Sequence, residues 1–135
     1  MRVIIAGSRG FNDYDILKNY CDKILQLRVG IQIVSGGAKG ADSLGERYAI
    51  ERGYDIKPFL PNWDLYGKRA GYIRNEEMAK YASGYADRDQ KLDYILDDKV
   101  PSGGLIAFWD HKSRGTKHMI DLAYKYNLKV RIHKV

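Results

Sequence analysis

The sequence predicts an α/β fold, a three-layer sandwich in which helices cover both faces of a mostly parallel five-stranded sheet. Three observations lead there. Short apolar runs, as at residues 3–6, 31–34 and 105–109, alternate with longer stretches whose apolar residues recur at helical spacing. Glycine-rich turns join the end of each such run to the helix that follows. Single strands alternating with single helices call for right-handed crossovers and hence parallel pairing, with the sheet buried on both sides.

The first strand is expected over residues 3–6, stopping at Gly7-Ser8-Arg9-Gly10. Asn12 or Asp13 is placed to cap the next helix, whose apolar face reads Ile16, Leu17, Tyr20, Ile24 and Leu27 until Gly30 ends it. A second strand covers residues 31–34, and Leu44, Tyr48 and Ala49 mark a second helix closed by Gly53. Residues 54–60 supply strand three. Pro61-Asn62-Trp63-Asp64 opens a loop, and a third helix starts near Lys68 or Arg69, traced by Ala70, Ile73, Met78 and Tyr81. Strand four is expected at 105–109, a helix with Met119, Ile120 and Ala123 on one face follows, and residues 128–132 form strand five. Residues 83–104 break this rhythm and read as an insertion in which Leu92, Ile95 and Leu96 form one face of a short helix. Its roles are a packed excursion, a lid or an oligomer contact.

At 135 residues, 44% hydrophobic and 30% charged, the chain suits one ordinary globular domain over residues 1–135 with a single core. The lone Cys21 has no partner for an internal disulfide and sits on the helical pattern as a small core residue. The apolar run near Met1 is too short for a signal peptide, and no stretch could span a bilayer, so a cytoplasmic protein without a membrane partner is expected. The net charge of +6 points to anionic partners. Arg9, Lys39, Lys68, Arg69, Lys112, Arg114 and Lys117 all fall in or beside strand-to-helix loops, where ligands of open parallel sheets bind.

Two of those loops have the composition of a phosphate cradle. In Ser35-Gly36-Gly37-Ala38-Lys39-Gly40-Ala41-Asp42 the small residues permit close backbone approach, and the helix behind them offers free amides and a positive dipole end. The spacing matches neither the dinucleotide fingerprint nor a Walker A loop. Ser113-Arg114-Gly115-Thr116 adds hydroxyls that bond phosphate or cap the helix, and an arginine able to clamp an anion. Gly7, Ser8, Arg9 and Phe11 lie on a third loop at the same edge. The alternative is tight turns in which glycine only permits positive φ. Asp42 either bonds a sugar hydroxyl or caps its helix, while Arg74 and Asn75 either face the pocket or lie on a solvated surface. Trp63, Tyr66 and Trp109 either stack on a base or pack the rim. The dispersed His111, His118 and His133 form no metal cluster, and no cofactor is expected.

Gly7-Ser8-Arg9-Gly10-Phe11, the Ser35 to Asp42 loop, Arg74-Asn75 with Met78, and Phe108-Trp109 with Ser113-Arg114-Gly115-Thr116 occur in an order that resembles the SLOG superfamily, most nearly its YspA-related branch. The resemblance covers nearly the whole chain except residues 83–104. It implies a Rossmann-like fold, homo-oligomers and a nucleotide-derived ligand at the glycine loops. Its members include phosphoribohydrolases, single-stranded DNA binders and sensors of ADP-ribose-like signals in antiphage defence. The hydrolases that activate cytokinins have Gly-Gly-x-Gly-Thr-x-x-Glu. Gly115-Thr116 fits that pattern, but Met119 stands where the catalytic glutamate would be, leaving Asp42, Asp110 or Glu77 to substitute. The leading expectation is therefore a binder that senses or sequesters a nucleotide-derived signal, such as a cyclic nucleotide or ADP-ribose derivative, without catalysis. Hydrolysis of a nucleoside 5′-monophosphate comes second, and single-stranded DNA binding third, because a chain this short shows few stacking aromatics for a long basic groove.

Overall fold

The computed structural model describes residues 1–84 and 103–135. Its elements run β1 (Arg2–Gly7), α1 (Tyr14–Leu25), β2 (Gln32–Ser35), α2 (Ala41–Arg52), β3 (Asp55–Pro58), a single turn α3 (Trp63–Tyr66), a 3-10 turn (Gly67–Arg69), α4 (Ala70–Ser83), β4 (Gly103–Trp109), α5 (Arg114–Lys125) and β5 (Lys129–Lys134). The helix expected around Leu92, Ile95 and Leu96 lies outside the described residues.

Five strands form one sheet in the order β3-β2-β1-β4-β5, and every pairing is parallel. Winding proceeds from β1 outward to β3, then resumes on the other side of β1 at β4. The reversal places a crevice between the carboxyl ends of β1 and β4, where ligands of such sheets bind.

Strand alternation divides the core in two. Val3, Ile5, Ile33, Ile106 and Phe108 pack with Leu17, Cys21 and Leu25 of α1 and Tyr48 and Ala49 of α2. Ile4, Ala6, Val34, Leu105 and Ala107 face the opposite way, against α4 and α5. Cys21 is fully buried, and burial pushes its thiol up to about 12, so it is a packing residue and not a nucleophile at neutral pH.

Local chemistry sets most element ends. The Asp13 carboxylate accepts the Ile16 amide at 3.1 Å and caps α1. Gly53 and Gly84 close α2 and α4 with φ of 72° and 73°, a conformation that costs glycine little. Leu17 and Cys21 of α1 are buried and Tyr20 and Ile24 pack against the core as expected, together with Leu25, but Ile16 is 39% exposed and Leu27, beyond the helix end, is 91% exposed. Strand four begins two residues earlier than expected because Gly103 pairs with Arg2 and packs against the Ala82 carbonyl, a fit that any Cβ would obstruct.

Candidate functional site

A cavity of about 240 Å³ opens at the switch point. Gly7 and Arg9 after β1, Ala38 and Asp42 after β2, and Ser113, Gly115 and Thr116 at the start of α5 form one side. The other side comes from α3 to α4, through Trp63, Lys68, Gly71, Tyr72, Arg74 and Asn75. Met78 and Met119 lie at its base, both nearly fully buried.

Turns tie the walls together. Ser8 donates its amide to the Phe108 carbonyl at 3.0 Å, and its hydroxyl accepts the Asp110 amide at 3.2 Å, joining the β1 and β4 loops. One oxygen of Asp110 accepts the amides of both Lys112 and Ser113 at 2.8 Å, and these bonds hold its carboxyl below the usual range. The Trp109 indole donates to the Ser113 carbonyl at 3.0 Å. The Ser113 hydroxyl accepts the Thr116 amide at 3.3 Å and lies 3.0 Å from the Thr116 hydroxyl, so it caps α5 while also facing the cavity. Ser113→Ala is expected to cost about 1 kcal/mol through loss of this cap, read as a lower urea midpoint at an unchanged m value.

Arg74 is held rather than loose. Its Nη1 donates to the Gly36 carbonyl at 2.5 Å and its Nε to the Asn75 side-chain oxygen at 3.1 Å. Asn75 is buried and its amide nitrogen reaches the Gly115 carbonyl at 3.4 Å and His118 Nδ1 at 3.2 Å, linking Arg74 to the first turn of α5. His118 must accept at Nδ1 in that bond, which assigns the neutral ring's proton to Nε2. Burial lowers the Arg74 pKa and the Arg9 charge adds to this, while Asp42 opposes both.

Asp42 is 7% exposed, and its Oδ2 accepts the Ala38 amide at 3.2 Å across the loop, so it does not cap α2. Burial pushes its carboxyl up to about 6 against the opposing pull of the Ala38 amide, Arg74 and Arg9, with Glu46 adding to the rise. Asp42 is the one carboxyl lining the cavity among the described residues; Glu77 borders a separate groove on the far side of α4, with Leu60 and Ile73.

Eleven of the residues singled out from sequence thus meet in the cavity: Gly7, Arg9, Ala38, Asp42, Trp63, Lys68, Arg74, Asn75, Ser113, Gly115 and Thr116. The others stand behind or beside it. Phe11 stacks on Phe108 at 5.0 Å in the core, and Ser8 and Trp109 hold loops. Gly36 leaves room for Arg74 and Asp42, since a Cβ there would lie 2.8 Å from each. Gly37 and Gly40 have φ of 70° and 82°, and Ser35 accepts the Gly37 amide at 3.1 Å. Lys39 and Arg114 are exposed and outside the cavity wall. Gly71 and Tyr72 drew no attention in the sequence, and only the sheet order shows that α4 faces the crevice.

No helix among the described residues is long and apolar enough to cross a membrane, and none of their His, Cys, Asp and Glu side chains group to hold a metal ion. Residues 1–66 match the family model described as the YspA, cpYpsA-related SLOG family, YAcAr. The chain is similar to the Gene 61 protein of Mycobacterium phage D29, being 36% identical over 88 residues that cover 58% of this chain and 68% of that protein. No solved structure matches the chain.

Proposed function

The chain belongs to the YspA, cpYpsA-related SLOG family, and from that premise we propose that its switch-point cavity binds the phosphate of a small nucleotide-derived ligand and holds the ligand intact. Family membership is compatible with a nucleotide-related function. The observation that carries the finer reading is the charge arrangement of the cavity, where Arg9, Lys68 and Arg74 converge with the N-terminal end of α5 on a space containing one carboxyl. The Arg9 charge adds to burial in lowering the Arg74 pKa, and that repulsion is relieved when an anion comes between the two cations. A volume of about 240 Å³, below the usual range of about 300–1,000 Å³ for small-molecule sites, favours a ligand no larger than a mononucleotide.

Met119, 1% exposed at the base of the cavity, supplies no acid or base. A second reading, hydrolysis, rests on Asp42, the only one of Asp42, Asp110 and Glu77 that lines the cavity. One experiment tests both. Incubation with the four ribonucleoside 5′-monophosphates and their 3′,5′-cyclic forms, followed by calorimetry, thermal melts and mass spectrometry, is expected to show binding with the ligand recovered whole. Release of free base would support hydrolysis. Absence of any thermal shift would overturn the phosphate reading, and single-stranded DNA outcompeting every mononucleotide would overturn the small-ligand reading.

A further inference from the structure

The part of the cavity contributed by α3 and the start of α4 has a composition that phosphate binding does not use. Trp63 and Tyr72 line the cavity at 51% and 47% exposure, and neither belongs to the two core clusters. Trp63 is seated with care for an exposed ring. The Asn62 side chain accepts the Leu65 amide at 3.1 Å and starts the turn that presents it, and its Cη2 edge lies over Gly71, where a Cβ would be only 3.7 Å away. Its ring makes no aromatic or cation contact among the described residues. Tyr72 is fixed by the His118 ring at 4.6 Å and 89°, and His118 is bonded to the same Asn75 that orients Arg74.

Two large rings held half-exposed on a cavity wall leave apolar area in water that a flat ligand group would cover. Ser113, Gly115 and Thr116 line the same cavity, so one molecule with an anionic end and a planar end would engage both groups. A sugar or an acyl chain offers no extended planar face for stacking, whereas every nucleobase does. We infer that Trp63, with Tyr72 beside it, forms a subsite for a planar heteroaromatic ring, and that this ring distinguishes the ligand from a bare sugar phosphate. The inference rests on the phosphate reading for the ligand's other end.

The test compares ribose 5-phosphate, the four ribonucleoside monophosphates and the matching nucleosides by calorimetry, with 5-fluorotryptophan labelling to follow Trp63 by fluorine NMR. The best monophosphate is expected to bind at least about tenfold more tightly than ribose 5-phosphate and to move the Trp63 resonance, which ribose 5-phosphate leaves in place. Trp63→Ala removes that preference, and Trp63→Phe, which keeps a ring, restores most of it. Equal binding of ribose 5-phosphate and every monophosphate by the native protein overturns the subsite, as does Trp63→Ala weakening both alike. If nucleosides bind as well as monophosphates and move the resonance, the ring subsite stands and the phosphate reading falls.

Discussion

Replacing Gly115 by alanine is expected to weaken ligand binding about 100-fold while leaving the fold as stable as before or slightly more so. Gly115 is the second residue of α5, it lines the cavity, and a Cβ built there meets nothing within 4 Å. Protein packing therefore gives no reason for glycine, and the helix would gain about 0.5–1 kcal/mol from alanine. A phosphate seated on the first amides of α5 supplies the missing reason, because a methyl at this turn stands where its oxygens approach. Loss of that contact at about 2.7 kcal/mol corresponds to the 100-fold change. Thermal melts without ligand and calorimetry with it separate the two effects. An alanine variant that binds like the native protein would place the anion elsewhere.

Gly36, Gly37 and Gly40 show why that reason was not legible in the sequence. Gly37 and Gly40 adopt positive φ, and Gly36 yields its side-chain space to Arg74 and Asp42, so all three have internal explanations. Gly115 alone of these four has none. A single letter stands for backbone conformation, close packing and open approach alike, and only the coordinates separate them. β1, β2 and β4 were legible because buried parallel strands are largely apolar runs, whereas the edge strands β3 and β5 are mostly exposed and carry a weaker apolar signal; the family resemblance followed from motif order. The face of α1 was legible in part. Leu17 and Cys21 are buried and Tyr20 and Ile24 pack against the core as the sequence indicates, but the buried face is centred on Leu17, Cys21 and Leu25, which leaves Ile16 exposed, and Leu27 falls beyond the helix end. The single turn from Trp63 to Tyr66 is too short to show a period; Asn62 before Trp63 was its one local sign, as a cap.

Asp42→Asn is expected to make the protein more stable at pH 7.5 by about 3 kcal/mol and to change little at pH 4. The native Asp42 carboxyl has a pKa of about 6 in the folded protein against an ordinary 3.8. Well below pH 3.8 both folded and unfolded chains hold the proton, and the group contributes nothing. As pH rises from 4 to 6 the unfolded chain releases its proton while the folded one retains it, so stability falls, and above 6 the full penalty applies. A separation of about two pH units, at about 1.4 kcal/mol each, gives about 3 kcal/mol. Asparagine retains an oxygen for the Ala38 amide and removes the buried charge. Urea denaturation at the two pH values checks this, and an equal effect at both would locate the change in packing. The same substitution addresses the ligand. Ionised Asp42 repels a phosphate, so the affinity of the variant relative to the native protein is expected to rise from pH 5 to pH 7.5, a ratio from which the ligand's own titration cancels. A protein that keeps so costly a carboxylate beside Arg74 gains from it in the bound state, where an ionised acceptor can bond a hydroxyl that asparagine bonds more weakly. A deoxy ligand is therefore expected to lose its disadvantage against a ribonucleotide in Asp42→Asn, and a preference that survives the substitution would assign the sugar contact to another group.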